Sequence, residues 1–397
     1  MGKVPMAAKQ ELRSLEMFTG AGGLALATHE AGFEHEVLFE WNADACRTLR
    51  ANAQRHAHSG VGNWNILEGD VRKVDFRLFE GLDLVAGGPP CQPFSIGGKH
   101  QGKRDNRDMI PEFIRAVRQI RPRAFIMENV KGLTRQTFRN YFSYVILQLT
   151  YPEVHLKGGE QWTSHLSRLE TTHSKGRYND LHYNVNYRVL NAADFGVPQT
   201  RERVFVVGFR SDMGASWHFP NPTHSRDSLL VDQWLTGEYW ARCGLKQPHQ
   251  PESVSTLRAR LESLPTMKNL PWKTVRDALA NLPEPKMIGH PHFQNHRLQL
   301  GARTYVGHTG SAIDWPSKTL KAGDHGVPGG ENMILFPTGE VRYYSVREAA
   351  RVQTFPDSWI FEGAWTEAMR QLGNAVPVGL AQIVAKSVAF ELRKHSE

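Results

Sequence analysis

The chain has 397 residues, of which 40% are hydrophobic and 22% charged, values that are typical of a globular protein with a sizeable core. Three widely separated cysteines exclude a disulfide framework and a CxxC metal pair, so no metal site is expected. The net charge of +8 permits a nucleic-acid partner without requiring one. The sequence has no run of about 18 apolar residues and no apolar signal core, so we expect a cytoplasmic protein without a membrane span.

Short apolar segments alternate with helical patterns over residues 12–208. Such alternation is typical of an α/β protein with a mostly parallel sheet that is covered on both faces. After residue 209 the chain is rich in Pro, Gly, Trp and His, and from 345 it becomes helical again. We therefore expect an α/β domain that an irregular domain interrupts and the tail completes. The predicted strands are 12–18, 37–40, 82–86, 124–127 and 204–207, and the predicted helices are 23–31, 42–55, 111–120 and 141–150.

A glycine turn, FTGAGG at 18–23, follows the first predicted strand and opens a helix. Glycines in this setting allow backbone amides to approach a ligand closely. Glu40 ends the second predicted strand about 20 residues later, where an acidic residue binds ribose hydroxyls. The turn lacks the full dinucleotide fingerprint, so an adenosine ligand without phosphates fits at least as well. Asp70 is either an acceptor for an adenine amino group or a solvated loop aspartate.

A single cysteine, Cys91, follows a Pro-Pro pair in the segment GGPPCQPFS at 87–95. The preceding apolar run predicts a strand, and the two prolines restrict the backbone on either side of them. A thiol that is held on a stiff strand-to-loop turn suits nucleophilic catalysis. The alternative is a buried structural cysteine beside a tight turn.

Six motifs of this chain resemble those of the cytosine-C5 DNA methyltransferase family, and they occur in the family's order. They are FTGAGGL at 18–24, PPCQ at 89–92, ENV at 128–130, QTRER at 199–203, RxxxRVQTFP at 347–356 and GNAVP at 373–377. The resemblance implies a Rossmann-like S-adenosylmethionine-dependent methyltransferase fold with a smaller irregular domain. The implied domains are a catalytic and cofactor-binding domain at 1–209, a target-recognition domain at 210–343 and a return segment at 344–397.

The resemblance also implies a DNA (cytosine-5-)-methyltransferase and roles for its polar residues. Cys91 would attack C6 of the cytosine as a thiolate, and Glu128 would assist at N3 and at the exocyclic amine. Arg203 would favour the thiolate and contact the base oxygen, with Arg201 as a second candidate for that role. A cytosine inside a duplex is out of reach of such a site, so the enzyme must flip it out.

The implied cofactor is S-adenosylmethionine, with S-adenosylhomocysteine as its product and no metal. Phe18 and Trp41 are expected to pack against adenine, and Glu40 to bind the ribose. Asn374 and Val376 are expected to close the methionine end. The full predicted cofactor set is Phe18, Gly20, Gly22, Gly23, Leu24, Glu40, Trp41, Asp70, Val71, Pro89, Asn374 and Val376.

The expected partner is double-stranded DNA. Residues 94–108 combine glycines with basic side chains and predict a mobile loop that closes over the duplex. In the recognition region, Thr319 is expected to touch a phosphate, and Arg297 and Arg303 are candidates for guanine contacts. The predicted DNA contacts are Ser95, Lys99, Lys103, Arg104, Arg297, Arg303, Thr319 and Lys321.

The leading hypothesis is a prokaryotic enzyme of a restriction-modification system, because the chain carries no long N-terminal regulatory region. It would act as a monomer, associate with the nucleoid through DNA, and protect host DNA from a restriction endonuclease. Two alternatives stay open: a tRNA cytosine-5 methyltransferase of the same fold, and a non-catalytic DNA-binding regulator. The recognised bases are not determined, and a palindrome with a CCGG core is only a weak expectation.

Overall fold

The computed structural model describes residues 11–90, 108–249, 268–322 and 332–395. The chain forms two compact units. The first consists of Met1–Val189, Arg203–Phe219 and Val384–Glu397, and the second of Leu190–Glu202 and Pro220–Ile383. Both units are therefore built from separate stretches of the sequence. The predicted domain boundaries at 209 and 343 remain a prediction.

A seven-stranded sheet runs in the order β3-β2-β1-β4-β5-β7-β6. The pairs that join β3, β2, β1, β4 and β5 are parallel, whereas β7 pairs with β5 in the antiparallel sense. The mostly parallel sheet that the sequence predicts is thus confirmed. The strands are β1 (Leu12–Met17), β2 (Phe33–Glu40), β3 (Ile66–Glu68), β4 (Leu84–Gly87), β5 (Ala124–Val130), β6 (Tyr183–Asn191) and β7 (Glu202–Arg210).

Five α-helices accompany this sheet within the described part of the first unit. The second begins where the Asn42 side chain accepts a hydrogen bond from the backbone N–H of Ala45, which satisfies one of the unpaired amides of its first turn. The fifth lies in the polar region 151–181. The helices are α1 (Gly23–Glu30), α2 (Ala43–Arg55), α3 (Ile110–Ile120), α4 (Arg139–Thr150) and α5 (Trp162–Ser174).

The central strands are almost entirely buried, which explains why they read as continuous apolar runs. Leu15, Val85 and Phe125 belong to one large core cluster. Because β1, β2, β4 and β5 are parallel, their carboxyl ends meet at one edge of the sheet. That edge carries the glycine turn, Glu40, the Pro-Pro turn and Glu128.

A cluster of buried polar side chains lies between β1, β2 and α1. Ser14 Oγ lies 2.9 Å from Nδ1 of His35, whose Nε2 lies 2.9 Å from the Ala25 carbonyl oxygen. Burial lowers the pKa of His35 to about 4. Glu16 is also buried, and its burial raises the pKa of the carboxyl well above the usual range. Burial therefore favours the neutral form of both side chains.

The second unit contains short strands and helices separated by irregular segments. The helix at 346–352 begins with a capping box, in which the Ser345 and Glu348 side chains satisfy each other's backbone amides. The strands are β8 (His224–Ser225), β9 (Leu270–Pro271), β10 (Ser311–Ala312), β11 (Met333–Leu335) and β12 (Val341–Tyr343). The helices are α6 (Arg226–Trp234), α7 (Glu238–Arg242), α8 (Val275–Ala278), α9 (Val346–Val352), α10 (Trp365–Asn374) and α11 (Val378–Lys394).

The end of α11 belongs to the first unit. Arg123 donates a hydrogen bond to the carbonyl oxygen of Leu392, and Arg393 donates one to that of Gly32. In the part of the chain that the structure describes, Trp365–Lys394 is the one stretch apolar and long enough to cross a membrane, and 67% of its most apolar window is buried inside the protein. Burial of this kind is what a core helix shows.

Candidate active site

The Glu40 carboxylate organises the turn between β1 and α1. Oε2 accepts a hydrogen bond from the backbone N–H of Gly20 at 2.7 Å. Oε1 accepts from the N–H groups of Trp41 at 2.9 Å and Asn42 at 2.7 Å. Each carboxylate oxygen has two lone pairs, so these bonds leave acceptor capacity for ribose hydroxyls. Glu40 is thus fixed in place at the position where the sequence predicts ribose binding.

The glycine turn has a strained backbone and open space in front of it. Phe18 adopts φ 58°, a conformation that is rare for a residue with a side chain. Gly20 adopts φ 56°, and a methyl group built on it would meet no atom within 4 Å. Trp41 is 75% exposed, so core packing does not account for its indole. The turn therefore leaves space for a ligand against its backbone, and the exposed Trp41 ring lies beside it.

Asp70 forms a two-point ion pair with Arg72. Nε of Arg72 donates to Oδ1 at 2.9 Å and Nη2 donates to Oδ2 at 2.6 Å. These hydrogen bonds lower the pKa of the Asp70 carboxyl, so it is ionised at neutral pH. An ionised carboxylate can accept a bond from an adenine amine. The next residue, Val71, is buried in the core and contributes packing.

The Pro-Pro turn at the end of β4 is braced from β5. Nδ2 of Asn129 donates to the carbonyl oxygen of Pro89 at 2.9 Å, as expected for a residue that supports the loop. The carbonyl oxygen of Pro90 accepts from the backbone N–H of Met109 at 3.1 Å. The predicted nucleophile Cys91 and the predicted DNA contacts Ser95, Lys99, Lys103 and Arg104 lie outside the described residues.

Glu128 and Arg203 form a buried ion pair across the antiparallel strands β5 and β7. Nε of Arg203 lies 2.9 Å from Oε1 of Glu128, and both side chains are more than 85% buried. Burial lowers the pKa of Arg203, and the facing carboxylate opposes that shift. Oε2 of Glu128 lies against Gly88, because a methyl group built on Gly88 would be only 3.2 Å from it. The structure therefore brings two predicted catalytic residues together, next to the turn that leads to Cys91.

Arg201, the second candidate for contact with the base oxygen, makes main-chain contacts inside the second unit. Its side chain is fully buried and donates to three carbonyl oxygens: Leu320 at 2.9 Å, Gly373 at 2.6 Å and Ala375 at 3.0 Å. This guanidinium ties residues Thr319–Leu320, which we call the Thr-Leu segment, to the GNAVP motif. The contacts support a positioning role for Arg201 and give no support for contact with the base.

Two buried glutamines complete this network, and sequence reasoning did not assign them a role. Nε2 of Gln199 donates to Oε1 of Gln353 at 3.1 Å, and Oε1 of Gln199 accepts from the backbone N–H of Leu320. Gln353 also donates to the carbonyl oxygen of Ala375 at 3.3 Å. Both glutamines lie inside recognisable motifs, QTRER and RVQTFP. The presence of an uncharged amide side chain inside each motif was the sequence feature that could have indicated this structural role.

The predicted methionine-end residues lie at the end of α10, where Asn374 is the last helical residue and Val376 follows two residues later. Asn374 is exposed and Val376 is buried. A methyl group on Gly373 would lie 2.3 Å from the backbone nitrogen of Ala322, so only glycine allows this approach. The GNAVP motif is therefore packed directly against the chain that follows the Thr-Leu segment.

The predicted DNA contacts in the second unit lie on its surface or close to it. Oγ1 of Thr319 donates to the carbonyl oxygen of Thr200 at 2.8 Å, which leaves its acceptor lone pairs for a donor. Arg297 donates from Nε to the Met287 carbonyl oxygen at 2.6 Å. Arg297, Arg303 and Lys321 are exposed. No cluster of His, Cys, Asp and Glu that could hold a metal is found among the described residues.

Known proteins are similar to this chain in sequence, and solved structures are similar to it in fold. A family model described as C-5 cytosine-specific DNA methylase matches residues 12–151 and 163–389. Type II methyltransferase M.Eco47II of Escherichia coli is 34% identical, with 96% of this chain and 79% of that protein covered. Type II methyltransferase M.NgoMIV of Neisseria gonorrhoeae is 30% identical, with 97% of this chain and 100% of that protein covered.

Solved structures resemble the fold at lower sequence identity. A putative DNA modification methyltransferase encoded within an E. coli prophage superposes with a TM-score of 0.58 at 19% identity, covering 95% of this chain and 98% of that one. S. pombe Dnmt2 methyltransferase gives 0.56 at 16%, covering 97% and 100%. The sheet and these neighbours define a Rossmann-like methyltransferase fold. The chain belongs to the C-5 cytosine-specific DNA methylase family, and it is a DNA cytosine methyltransferase.

Proposed function

We propose that this chain is a type II modification enzyme that methylates C5 of one cytosine in a short duplex site. Relatives of this chain include type II methyltransferases, which supports pairing with a restriction endonuclease that the modification blocks. The observation that carries the chemistry is the buried Glu128–Arg203 pair at 2.9 Å, beside the turn that precedes Cys91. A regulator that had lost catalysis would not need to keep this pair together with the cysteine.

S-adenosylmethionine is the cofactor that fits the first unit. Bound there, it supplies the methyl group for transfer. Oε2 of Glu40 keeps one acceptor lone pair for a ribose hydroxyl, and the exposed Trp41 indole offers a face for the adenine. The open space at Gly20 lets a ligand lie against the backbone of the turn. These features favour a nucleoside without phosphates, because the turn sequence FTGAGG at 18–23 contains no basic residue.

Cys91 supplies the nucleophile. Its thiolate adds to C6 of the flipped cytosine, which moves electron density to C5, where the methyl group is accepted. The C5 proton is then removed, the C5–C6 double bond re-forms, and Cys91 leaves as a thiolate. Glu128 stabilises the added ring at N3 and at the exocyclic amine, and Arg203 orients the Glu128 carboxylate through its Nε.

Methyl transfer from radiolabelled S-adenosylmethionine tests the proposed substrate. The label is expected on duplex DNA and not on tRNA, and bisulfite sequencing of DNA from cells that express the chain would report the site and the methylated base together. Cys91→Ala should keep DNA binding and abolish transfer. Labelling of tRNA alone would contradict the proposal and favour the tRNA alternative.

A trapped complex tests the covalent step separately. A duplex with 5-fluorocytosine at the target position should form a denaturation-resistant adduct, because the C5 fluorine cannot leave as a proton and Cys91 is not released. Cys91→Ala is the matched control and should give none. If the wild-type protein methylates ordinary DNA but forms no adduct, attack by Cys91 on C6 is wrong.

We propose that the enzyme acts as a monomer in the cytoplasm, where it associates with DNA.

A further inference from the structure

The two peptide groups that precede Cys91 are each held by a hydrogen bond from another part of the first unit. The carbonyl oxygen of Pro89 accepts from Nδ2 of Asn129 on β5 at 2.9 Å, and that of Pro90 accepts from the backbone N–H of Met109 at 3.1 Å. A peptide group is planar and a proline ring fixes φ, so these bonds set the direction in which the chain enters Cys91. The second bond depends on how Met109 is held, directly before α3.

The side chain of Asp108 holds the start of α3. Its Oδ1 accepts from the backbone N–H of Ile110 at 3.1 Å, which satisfies one of the unpaired amides of the first helical turn. The carbonyl oxygen of Met109 accepts from the backbone N–H of Phe113 at 3.2 Å, so the helix fixes Met109 as well. One oxygen of the Asp108 carboxylate therefore acts on α3, and the other is directed toward a different helix.

That helix is α4, which contacts Asp108 through Tyr141. The Tyr141 hydroxyl donates a hydrogen bond to Oδ2 of Asp108. A hydrogen bond to a carboxylate is about twice as strong as one between neutral groups. The ring of Tyr141 packs against the large core cluster, and α4 is buried through Phe142, Val145 and Leu149. Apolar packing therefore holds α4 in place, and the hydroxyl adds a specific link to the residue that precedes Met109.

We propose that Tyr141 is a positioning residue for the reaction, which acts through Asp108 and Met109 on the peptide group that leads into Cys91. A nucleophile must meet its target carbon along a defined direction, and a misplacement of about 1 Å can cost about 100-fold in rate. Tyr141 contacts neither the cytosine nor the cofactor in this role. The inference rests on the proposed function, because it names a residue that directs the nucleophile proposed there.

Removal of the hydroxyl alone tests the role of Tyr141. Tyr141→Phe keeps the ring that packs against the core. With saturating S-adenosylmethionine and a duplex that carries 5-fluorocytosine at the mapped target, its rate of adduct formation should fall about tenfold or more. Kd for the cofactor and Kd for the duplex should each change by less than about twofold, because binding does not require an aimed thiolate.

Tyr144→Phe is the matched control on the same helix. The Tyr144 hydroxyl lies 2.8 Å from Nδ1 of His165, and Tyr144 is buried. Its removal should therefore lower the melting temperature at least as much as Tyr141→Phe does, yet leave the rate of adduct formation unchanged.

Variants of Asp108 test the link itself. In Asp108→Asn the amide oxygen still accepts from Ile110 and the NH₂ group can donate to the Tyr141 hydroxyl oxygen, so most of the adduct rate should be retained. Asp108→Ala breaks the link and should be as slow as Tyr141→Phe. Adding Tyr141→Phe to Asp108→Ala should cause no further loss, because both changes remove the same hydrogen bond.

An adduct rate for Tyr141→Phe within about twofold of the wild type would overturn the proposal. So would an equal loss of rate in Tyr144→Phe, because general destabilisation would then explain both variants. Losses that multiply in the double variant, or an Asp108→Asn variant as slow as Asp108→Ala, would also contradict it. A wild-type protein that forms no adduct would instead contradict the covalent step of the proposed function, so the two failures can be told apart.

Discussion

The role of Arg201 can be decided by removing its guanidinium. The side chain is fully buried, and it donates to the carbonyl oxygens of Leu320, Gly373 and Ala375. Arg201→Met keeps much of the volume and removes all three bonds. The Ala375 oxygen retains its bond from Gln353, which leaves two buried acceptors without a donor. At about 1–3 kcal/mol for each, the free energy of unfolding should fall by roughly 2–6 kcal/mol.

That loss is a large fraction of the about 5–15 kcal/mol that stabilises a typical domain. Urea unfolding followed by tryptophan fluorescence would measure it, and single-turnover methyl transfer at a permissive temperature would measure the chemistry separately. Arg50→Met is the matched control. It breaks an ion pair with Glu68 in which both side chains are about two-fifths exposed, and it should cost no more than about 1 kcal/mol.

The reasoning would be refuted if Arg201→Met unfolded within about 1 kcal/mol of the wild type and yet had lost methyl transfer. That result would assign Arg201 a catalytic role, as the sequence predicts. The three hydrogen bonds to carbonyl oxygens would then contribute little to stability.

Three further predictions follow from single side chains. Glu16→Gln should stabilise the protein at pH 7 more than at pH 5, because burial raises the pKa of the Glu16 carboxyl and the wild-type fold therefore loses stability as the pH rises above the usual carboxyl pKa. A stability difference between variant and wild type that is the same at both pH values in thermal melts would contradict the burial argument. The lowered pKa of His35 acts in the opposite direction, and it should make stability rise by up to about 1.4 kcal/mol per pH unit between the folded pKa of about 4 and the usual 6.5. Glu40→Gln should weaken S-adenosylmethionine binding about tenfold or more in calorimetry, because an amide group turns a donor toward one of the three N–H groups that the carboxylate accepts, and an unchanged Kd would show that Glu40 does not hold the ribose. Gly373→Ala should lower stability by about 1–3 kcal/mol or more through its contact with the backbone of Ala322, whereas Gly158→Ala, which meets open space, should not; equal melting temperatures would contradict it.

The sequence by itself determined the fold class and predicted which residues lie at the carboxyl edge of the sheet. Parallel central strands are buried on both faces, so their apolar runs are continuous and could be predicted from the sequence alone. The glycine turn, Glu40 and Glu128 were found because each follows such a run. The short β3 was missed because a mostly exposed three-residue strand carries little periodicity, and β6 was missed because its polar side chains alternate weakly.

Tertiary structure decided which of two arginines in one motif faces the acid. Arg201 and Arg203 are two residues apart and chemically identical, so nothing local distinguishes them. Packing gives Arg203 the Glu128 carboxylate and gives Arg201 three main-chain carbonyls whose partners lie 119 to 174 residues away. Long-range contacts of this kind leave no periodic trace in a single sequence, and only the folded chain reveals them.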